Sequence, residues 1–293
     1  MTSIRFSPID LAGLAPPAVI QTLDVEGIIS ARKADIVARL RDIDEELADE
    51  IAAILTLESE PMTKLQESGA YRETLHYARV NDAARAVLLA TSFGTNLDNL
   101  GAFYKVVRMD GENDERFKHR ISIAPEALTT CGSAGAYIFQ TMSVDTSIKS
   151  VGLHRDGEAT VHVSILVDDT EDGTPSTELL DRVRSHLDDE LIKPLTDDVV
   201  VGGPQIEAFA VVQHLHIGSG PDRETVRAAS EMAVRAYLDK RHRTGVPVYV
   251  SALDAAAVVA GVEKVTRTAP VADILPGPTS AAWAQNVSVT IAA

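Results

Sequence analysis

The chain has 293 residues, of which 45% are hydrophobic, 24% charged and 4% aromatic. This length suits one large or two modest domains with a substantial core, and the composition excludes a disordered chain. The formal charge of −16 repels nucleic-acid phosphates and anionic lipid surfaces, so neither is expected as a direct partner.

The predicted first element is an extended arm over residues 1–20, because this stretch contains Pro8, Pro16 and Pro17, and proline fixes φ and removes a backbone donor. The arm lacks the continuous apolar stretch and the cleavage site of a secretory signal. No window offers the ~20 apolar residues that a membrane-spanning helix needs. The single cysteine, Cys131, also fits a reducing compartment, so we expect a protein made and assembled in the cytoplasm.

A helical region is predicted over residues 21–148. Its first tract carries apolar residues at steps of three and four, which places them on one stripe of a helix about 30 Å long. The opposite side of this helix is densely charged. Spacing alone leaves two interpretations open, an intramolecular core or a seam with another chain. The stripe consists of Ile36, Leu40, Ile43, Leu47, Ile51 and Ile54.

The rest of the helical region is predicted to hold a long helix over about 62–91 and two shorter ones. The first short helix is capped by Thr95 or Asn96, a polar loop follows at 109–120, and the second short helix covers 134–142. The residues of the long helix that we expect to be buried are Leu65, Tyr71, Leu75, Ala78, Ala83, Val87 and Leu88.

Beyond about Lys149 the apolar pattern changes to alternation, which is typical of half-buried strands. Two small α/β modules with mixed sheets are predicted, at 149–204 and 205–293, so the fold class is α+β with a helical N-terminal region. Their elements in order are strands at 161–167 and 199–201 around a helix that Ser176 caps, a strand at 206–217, a helix from Pro221 to about His242, a strand at 247–250, a helix at 251–259, a strand at 261–267 and an edge strand at 285–291.

One pattern resembles a metal site. His214 and His216 lie two residues apart in a predicted strand, so both imidazoles point to one face, and His162 is the available third ligand for zinc. We favour solvated or interfacial histidines, because a complete ligand set is missing. Cys131 beside Gly132 has no histidine or acid placed by sequence to activate it. Without a phosphate loop or a GxSxG turn, no catalytic, cofactor or metal residue is assigned.

Several short tracts resemble the baseplate J-like family, which supplies wedge subunits to the baseplates of contractile-tailed phages, phage-tail-like bacteriocins and related injection systems. Each tract is weak by itself, and their shared order along the chain makes the match specific. The tracts are LESEP at 57–61, AYRE at 70–73, NDAARAVLLA at 81–90, RISIAP at 120–125, GSAGAYI at 132–138, DGTP at 172–175, PLTD at 194–197 and RHRTG at 241–245.

The resemblance implies a structural protein without catalysis or cofactor, whose N-terminal helices join those of other wedge subunits in a bundle. It therefore favours the seam interpretation of the stripe. The implied partners are further copies of the chain, a second, smaller wedge protein, the sheath-initiating baseplate protein and the central hub or spike. The implied location is the baseplate of a virion or tail-like particle, where the protein takes part in triggering sheath contraction. The competing hypotheses are an enzyme that uses His214 and His216 or the cysteine, and an adaptor unrelated to tails.

Overall fold

The computed structural model describes residues 11–128, 132–156, 159–219 and 222–292. Within these residues, a series of helices precedes two three-stranded sheets, which confirms the predicted fold class. The chain divides into two compact units, one over 9–105 and the other from 106 onward. The elements are α1 (Val25–Arg41), α2 (Glu45–Ile54), α3 (Pro61–Ala86), α4 (Gly94–Phe103), α5 (Asp114–Ile123), α6 (Ala134–Met142), β1 (Ile148–Arg155), β2 (Thr160–Val167), α7 (Thr177–Leu187), β3 (Asp198–Gly202), β4 (Gln205–Ile217), α8 (Arg223–Arg241), α9 (Val250–Ala257), β5 (Val262–Ala269) and β6 (Ser280–Ile291).

The stripe tract is divided between two helices, so the single helix predicted there is wrong. The first, α1, ends at Arg41, and α2 begins at Glu45. Asp44 causes the break, because its carboxylate accepts the N–H of Leu47 at 3.1 Å and so starts a new helix. Both α2 and α3 pack against α1.

The long helix α3 is buried along a line of small and polar side chains. Small residues let two helices approach closely. The apolar pattern alone did not show that this side of α3 is the buried one. Leu65, Tyr71, Leu75 and Val87 are 68%, 61%, 47% and 68% exposed, and Ala83 is also exposed, so their predicted burial is wrong. The fully buried residues of α3 are Thr63, Ala70 and Asn81.

The two segments that follow α3 also differ from the prediction. No side-chain cap precedes α4, which begins at Gly94, so the caps predicted at Thr95 and Asn96 are wrong. The loop predicted at 109–120 is largely helical, since α5 begins at Asp114. Its start is fixed by Asn113, whose amide oxygen accepts the N–H of Arg116 at 2.9 Å.

The first sheet has the order β1-β2-β3, with β1 and β2 antiparallel and β2 and β3 parallel. The crossover helix α7 begins after Ser176, whose hydroxyl accepts the N–H of Leu179 at 3.2 Å, so the predicted cap is confirmed. The strand β1 was not predicted. Helix α6 packs on β1, and the core between helices and sheet includes Ile148, Val163, Ile165, Val183 and Leu187.

The second sheet has the order β5-β4-β6, with β4 antiparallel to β5 and parallel to β6. Both α8 and α9 pack on the same core, which includes Val211, Leu215, Val234, Leu253 and Val289. The strand predicted at 247–250 is wrong, because only Val248 forms an isolated bridge there. The predicted edge strand at 285–291 lies within β6. Pro221, which was predicted to open α8, lies outside the described residues.

The two sheets belong to one unit and are joined by direct contacts. The Ser164 hydroxyl donates to the Thr279 carbonyl at 3.1 Å, and Lys149 pairs with Asp239 at 2.6 Å. At Gly152 a Cβ atom would lie 2.3 Å from the Pro278 carbonyl oxygen, so only glycine permits this approach. The boundary predicted at 148/149 therefore falls inside this unit, directly after the first residue of β1. Of the arm predicted over 1–20, the first ten residues lie outside the described part.

Candidate interaction surfaces

The six stripe residues all remain partly exposed in the unit over 9–105. Ile36 and Leu40 lie on α1, Ile43 lies in the break, and the other three lie on α2. Ile43 is 81% exposed and Leu47 is 40% exposed, whereas the other four are half-buried. The neighbouring helices therefore cover much of the stripe and leave Ile43 and Leu47 exposed.

An open groove of about 420 Å³ runs between α1 and α2. Lys33 and Arg41 lie on its wall, and Arg41 also pairs with Asp49 at 2.8 Å. Small side chains line most of the remainder, so the backbone of another helix has room to approach. These apolar wall residues are Ala34, Val37, Ala38, Ala52 and Leu55.

The side of α3 away from its buried line of Thr63, Ala70 and Asn81 carries exposed apolar side chains. Arg72 and Arg79 lie on the same side at helical spacing, so charge interrupts this apolar surface. The exposed long apolar side chains are Met62, Leu65, Tyr71, Leu75 and Val80 on α3, and Val87 directly after it.

The histidine pattern does not assemble into a metal site. His214 Nδ1 lies 2.8 Å from the Thr290 hydroxyl on β6, and His216 Nε2 lies 3.1 Å from the Thr266 hydroxyl on β5. The two rings are thus held by opposite neighbouring strands. His162 belongs to the other sheet, where it contacts Asp156 at 2.8 Å. Among the described residues, no three histidine, cysteine or acidic side chains are grouped to hold a metal ion.

A cleft of about 180 Å³ beside Trp283 has charged groups that are already paired within the chain. Arg235 contacts Glu231 at 2.7 Å, and Asp239 contacts Lys149 at 2.6 Å. The hydrogen bond from Lys149 lowers the pKa of Asp239, so this carboxyl is ionised near neutral pH and is not poised as a general acid. Cys131 lies outside the described residues. No described helix is long and apolar enough to span a membrane.

Some tracts that carried the resemblance contact each other across the second unit. Tyr137, in GSAGAYI, donates its hydroxyl to Asp197 of PLTD at 2.9 Å. His242, in RHRTG, lies 3.2 Å from the Asp172 carbonyl of DGTP. Both pairs join segments that are distant in sequence, so these tracts stabilise the fold. Their sequence alone did not predict these contacts.

Other tracts have structural roles that the sequence did not reveal. Asn81, the first residue of NDAARAVLLA, accepts the N–H of Gln21 at 3.0 Å and donates to its carbonyl at 2.8 Å, which fixes the segment before α1 on α3. Arg120, the first residue of RISIAP, forms a buried ion pair with Glu112 at 2.7 Å. The sequence carries no local signal for this pair, because Glu112 precedes α5 whereas Arg120 lies inside it.

Comparison with known proteins gives consistent matches. Residues 58–110 match the model of the Baseplate J-like N-terminal domain, and residues 129–203 match that of the Baseplate J-like central domain. The first match spans α3 and α4, and the second runs from α6 to β3. A relative named "Baseplate protein J", from Escherichia phage P2, is 36% identical over 296 residues, which cover 96% of this chain and 97% of the relative.

Proposed function

We propose, because the chain belongs to the baseplate J-like family, that it is a structural wedge protein of a contractile-tail baseplate. Its partners in this role are further copies of itself, a second, smaller wedge protein, the sheath-initiating baseplate protein and the central hub or spike. Together they form the ring around the hub, at the baseplate of a virion or tail-like particle. The proposal includes a part in triggering sheath contraction, and it assigns no catalysis.

The observation that supports assembly is the exposed part of the stripe, at Ile43 and Leu47. Burying a large aliphatic side chain contributes about 1.5–3 kcal/mol relative to leaving it in water. Ile43 is 81% exposed and Leu47 is 40% exposed, so both would gain a large share of this energy from a partner helix. We propose that the seam comprises the whole stripe: Ile36, Leu40, Ile43, Leu47, Ile51 and Ile54.

The charges around the stripe support a defined register for this contact. Arg39 pairs with Asp35 at 2.8 Å, and Arg41 pairs with Asp49 at 2.8 Å. Exposed pairs of this kind contribute little to the stability of the chain itself. They do keep charged groups beside the apolar stripe, where a wrongly placed partner would have to desolvate them.

The proposal is tested by placing charges on the most exposed part of the stripe. Ile43→Asp combined with Leu47→Asp buries two carboxylates in any seam, which is costly without paired cations. Both positions are solvent-accessible in the single chain, so its fold should be unaffected. We expect the variant to lose assembly with the co-expressed smaller wedge protein and sheath-initiating protein, measured by size-exclusion chromatography with light scattering.

The matched control places the same charges on exposed apolar side chains of the other unit. Met232 on α8 is 72% exposed and Leu195 is 103% exposed. Met232→Asp combined with Leu195→Asp should leave wedge assembly as in the parent. Normal assembly of the stripe variant, with its circular dichroism unchanged, would show that the seam is assigned to the wrong surface.

A further inference from the structure

Two histidines lie side by side on the first sheet, on the face away from its core. His154 on β1 is the direct antiparallel partner of His162 on β2, and their ring centroids lie 6.2 Å apart. Directly opposed residues of an antiparallel pair project to the same face of a sheet. The adjacent pair, Leu153 and Val163, belongs to the core under α6 and α7. Because successive residues of a strand point to opposite faces, the two imidazoles lie outside that core.

A polar pocket of about 300 Å³ lies beside this pair, between the first sheet and the start of β4. It has room for several water molecules, since each occupies about 30 Å³ in the liquid. A Cβ atom placed on Gly202 would meet no atom within 4 Å, so the space next to the end of β3 is open. The polar side chains that line the pocket are those of His154, His162, Ser164, Gln205 and Thr279.

Each histidine of the pair has a ring nitrogen suited to bind a metal ion. Nδ1 of His154 is buried and has no hydrogen-bond partner, which is unfavourable for a polar atom. Nε2 of His162 lies 2.8 Å from Oδ2 of Asp156. An ionised carboxylate only accepts hydrogen bonds, so Nε2 of His162 carries the proton and donates it. Nδ1 of His162 therefore keeps its lone pair for another partner.

The separation of the two rings fits a single bridging ion. Zinc binds histidine nitrogen at about 2.0–2.1 Å, which places the centroids of two ligand rings about 5–6 Å apart. The observed 6.2 Å is close to this range. The terminal torsion of histidine has a broad energy well, so rotation of the rings can direct both nitrogens to one point without moving the strands. The contact from Asp156 to His162 is the kind by which a carboxylate orients a metal-binding histidine.

We propose that His154 and His162 together bind one divalent transition-metal ion of the zinc type, and that Asp156 is a positioning residue for His162. Imidazole ligands favour zinc, copper and nickel, whereas magnesium and calcium prefer oxygen. Water completes the coordination from the pocket. The bound ion links β1 to β2, and the charge of −16 favours the approach of a cation. This site goes beyond the proposed baseplate role and does not depend on it.

The test measures zinc binding to the full-length, tag-free protein after treatment with a chelator. Isothermal titration calorimetry with zinc chloride should give one ion per chain for the parent. We expect His154→Gln and His162→Gln, made separately, each to raise the dissociation constant at least tenfold. Asp156→Ala should raise it about tenfold through the lost orientation of His162. The thermal unfolding temperature of these variants without metal should match that of the parent, because the side chains of His162 and Asp156 are 36% and 55% exposed.

The matched control is His214→Gln with His216→Gln. It removes two histidines from the second sheet, where their rings contact threonines on opposite neighbouring strands. We expect this variant to bind zinc as the parent does. A parent that binds no zinc, a folded His154 or His162 variant with parental affinity, or a control that loses zinc would each overturn the site. These outcomes leave the stripe test unaffected, since that test measures assembly through the other unit.

Discussion

Glu112 and Arg120 form an ion pair whose side chains are almost fully removed from water, with exposures of 0% and 5%. The same Glu112 oxygen accepts the backbone N–H of Met109 at 3.0 Å. Removing one partner of a buried pair leaves an uncompensated charge, which costs about 3–5 kcal/mol. We therefore expect Glu112→Ala to lower the free energy of unfolding by about that amount, measured by urea denaturation.

Replacing Glu112 and Arg120 together distinguishes the loss of the ion pair from the cost of leaving one buried charge unpaired. In the variant with Glu112→Leu and Arg120→Met, both charges are replaced by apolar groups, which often restores the stability of a buried site. We expect this double variant to be more stable than Glu112→Ala. If it is equally unstable, the cost at Glu112 arises from its other contacts, the Arg116 side chain at 3.5 Å and the Met109 N–H at 3.0 Å, and not from the pair with Arg120.

His119 gives the stability a pH dependence of defined sign. Burial, with smaller contributions from Arg243 and Arg116, lowers the pKa of His119 below the usual value of 6.5. Below pH 6.5 the unfolded chain therefore binds a proton that the folded chain resists, so stability is lost as pH falls. Burial shifts the pKa values of His186 and His242 in the same direction.

The free energy of unfolding should therefore be constant above about pH 7 and decrease towards pH 5. His119→Gln should reduce this slope, because its side chain does not titrate. Urea denaturation of both proteins at several pH values measures the difference. An increase in parental stability on acidification through this range would contradict the assignment.

Elements with one clear local signal were predictable from sequence. Helix α6 was predicted at 134–142, its observed bounds, and Ser176 was identified as the cap of α7. The strands β2 and β4 were predicted through the alternation of their apolar residues. In each case the period and the bounding residues lie within the element itself, so no tertiary information was required.

Other elements depend on contacts that a single sequence pattern does not contain. The strand β1 has Gly152 at the position that approaches the Pro278 carbonyl, and this glycine interrupts the apolar alternation. The break between α1 and α2 depends on Asp44 capping a helix inside a continuous apolar period. On α3 the choice of buried side was set by close packing on α1, where small residues were favoured over leucine.

The candidate surfaces were predictable to different degrees. The stripe could be identified from sequence because a helix period is local, although its role as a seam stays a prediction. The order β5-β4-β6 of the second sheet is not visible in the sequence. Strand order depends on pairing between distant segments, which periodicity does not encode.

At the scale of the molecule, the two units differ in how their apolar residues are covered. The unit from 106 onward encloses two cores, one under each sheet. In the unit over 9–105, the fully buried apolar side chains are few, and long apolar side chains on α3 remain in water. Hydrophobic burial is the dominant favourable term in folding. We therefore expect the unit from 106 onward to be stable alone and the unit over 9–105 to require partners.

A fragment of residues 104–293 tests this division, since it keeps Val106, which is only 3% exposed. We expect it to unfold in one cooperative thermal transition and to give a dispersed amide NMR spectrum, because both cores and the contacts between the sheets are complete within it. The complementary fragment of residues 1–103 should unfold without a sharp transition when it is alone. Co-expression with the smaller wedge protein should restore its cooperativity. If fragment 1–103 unfolds cooperatively in isolation, the helices cover their own apolar surface. The stripe then does not need a partner for stability.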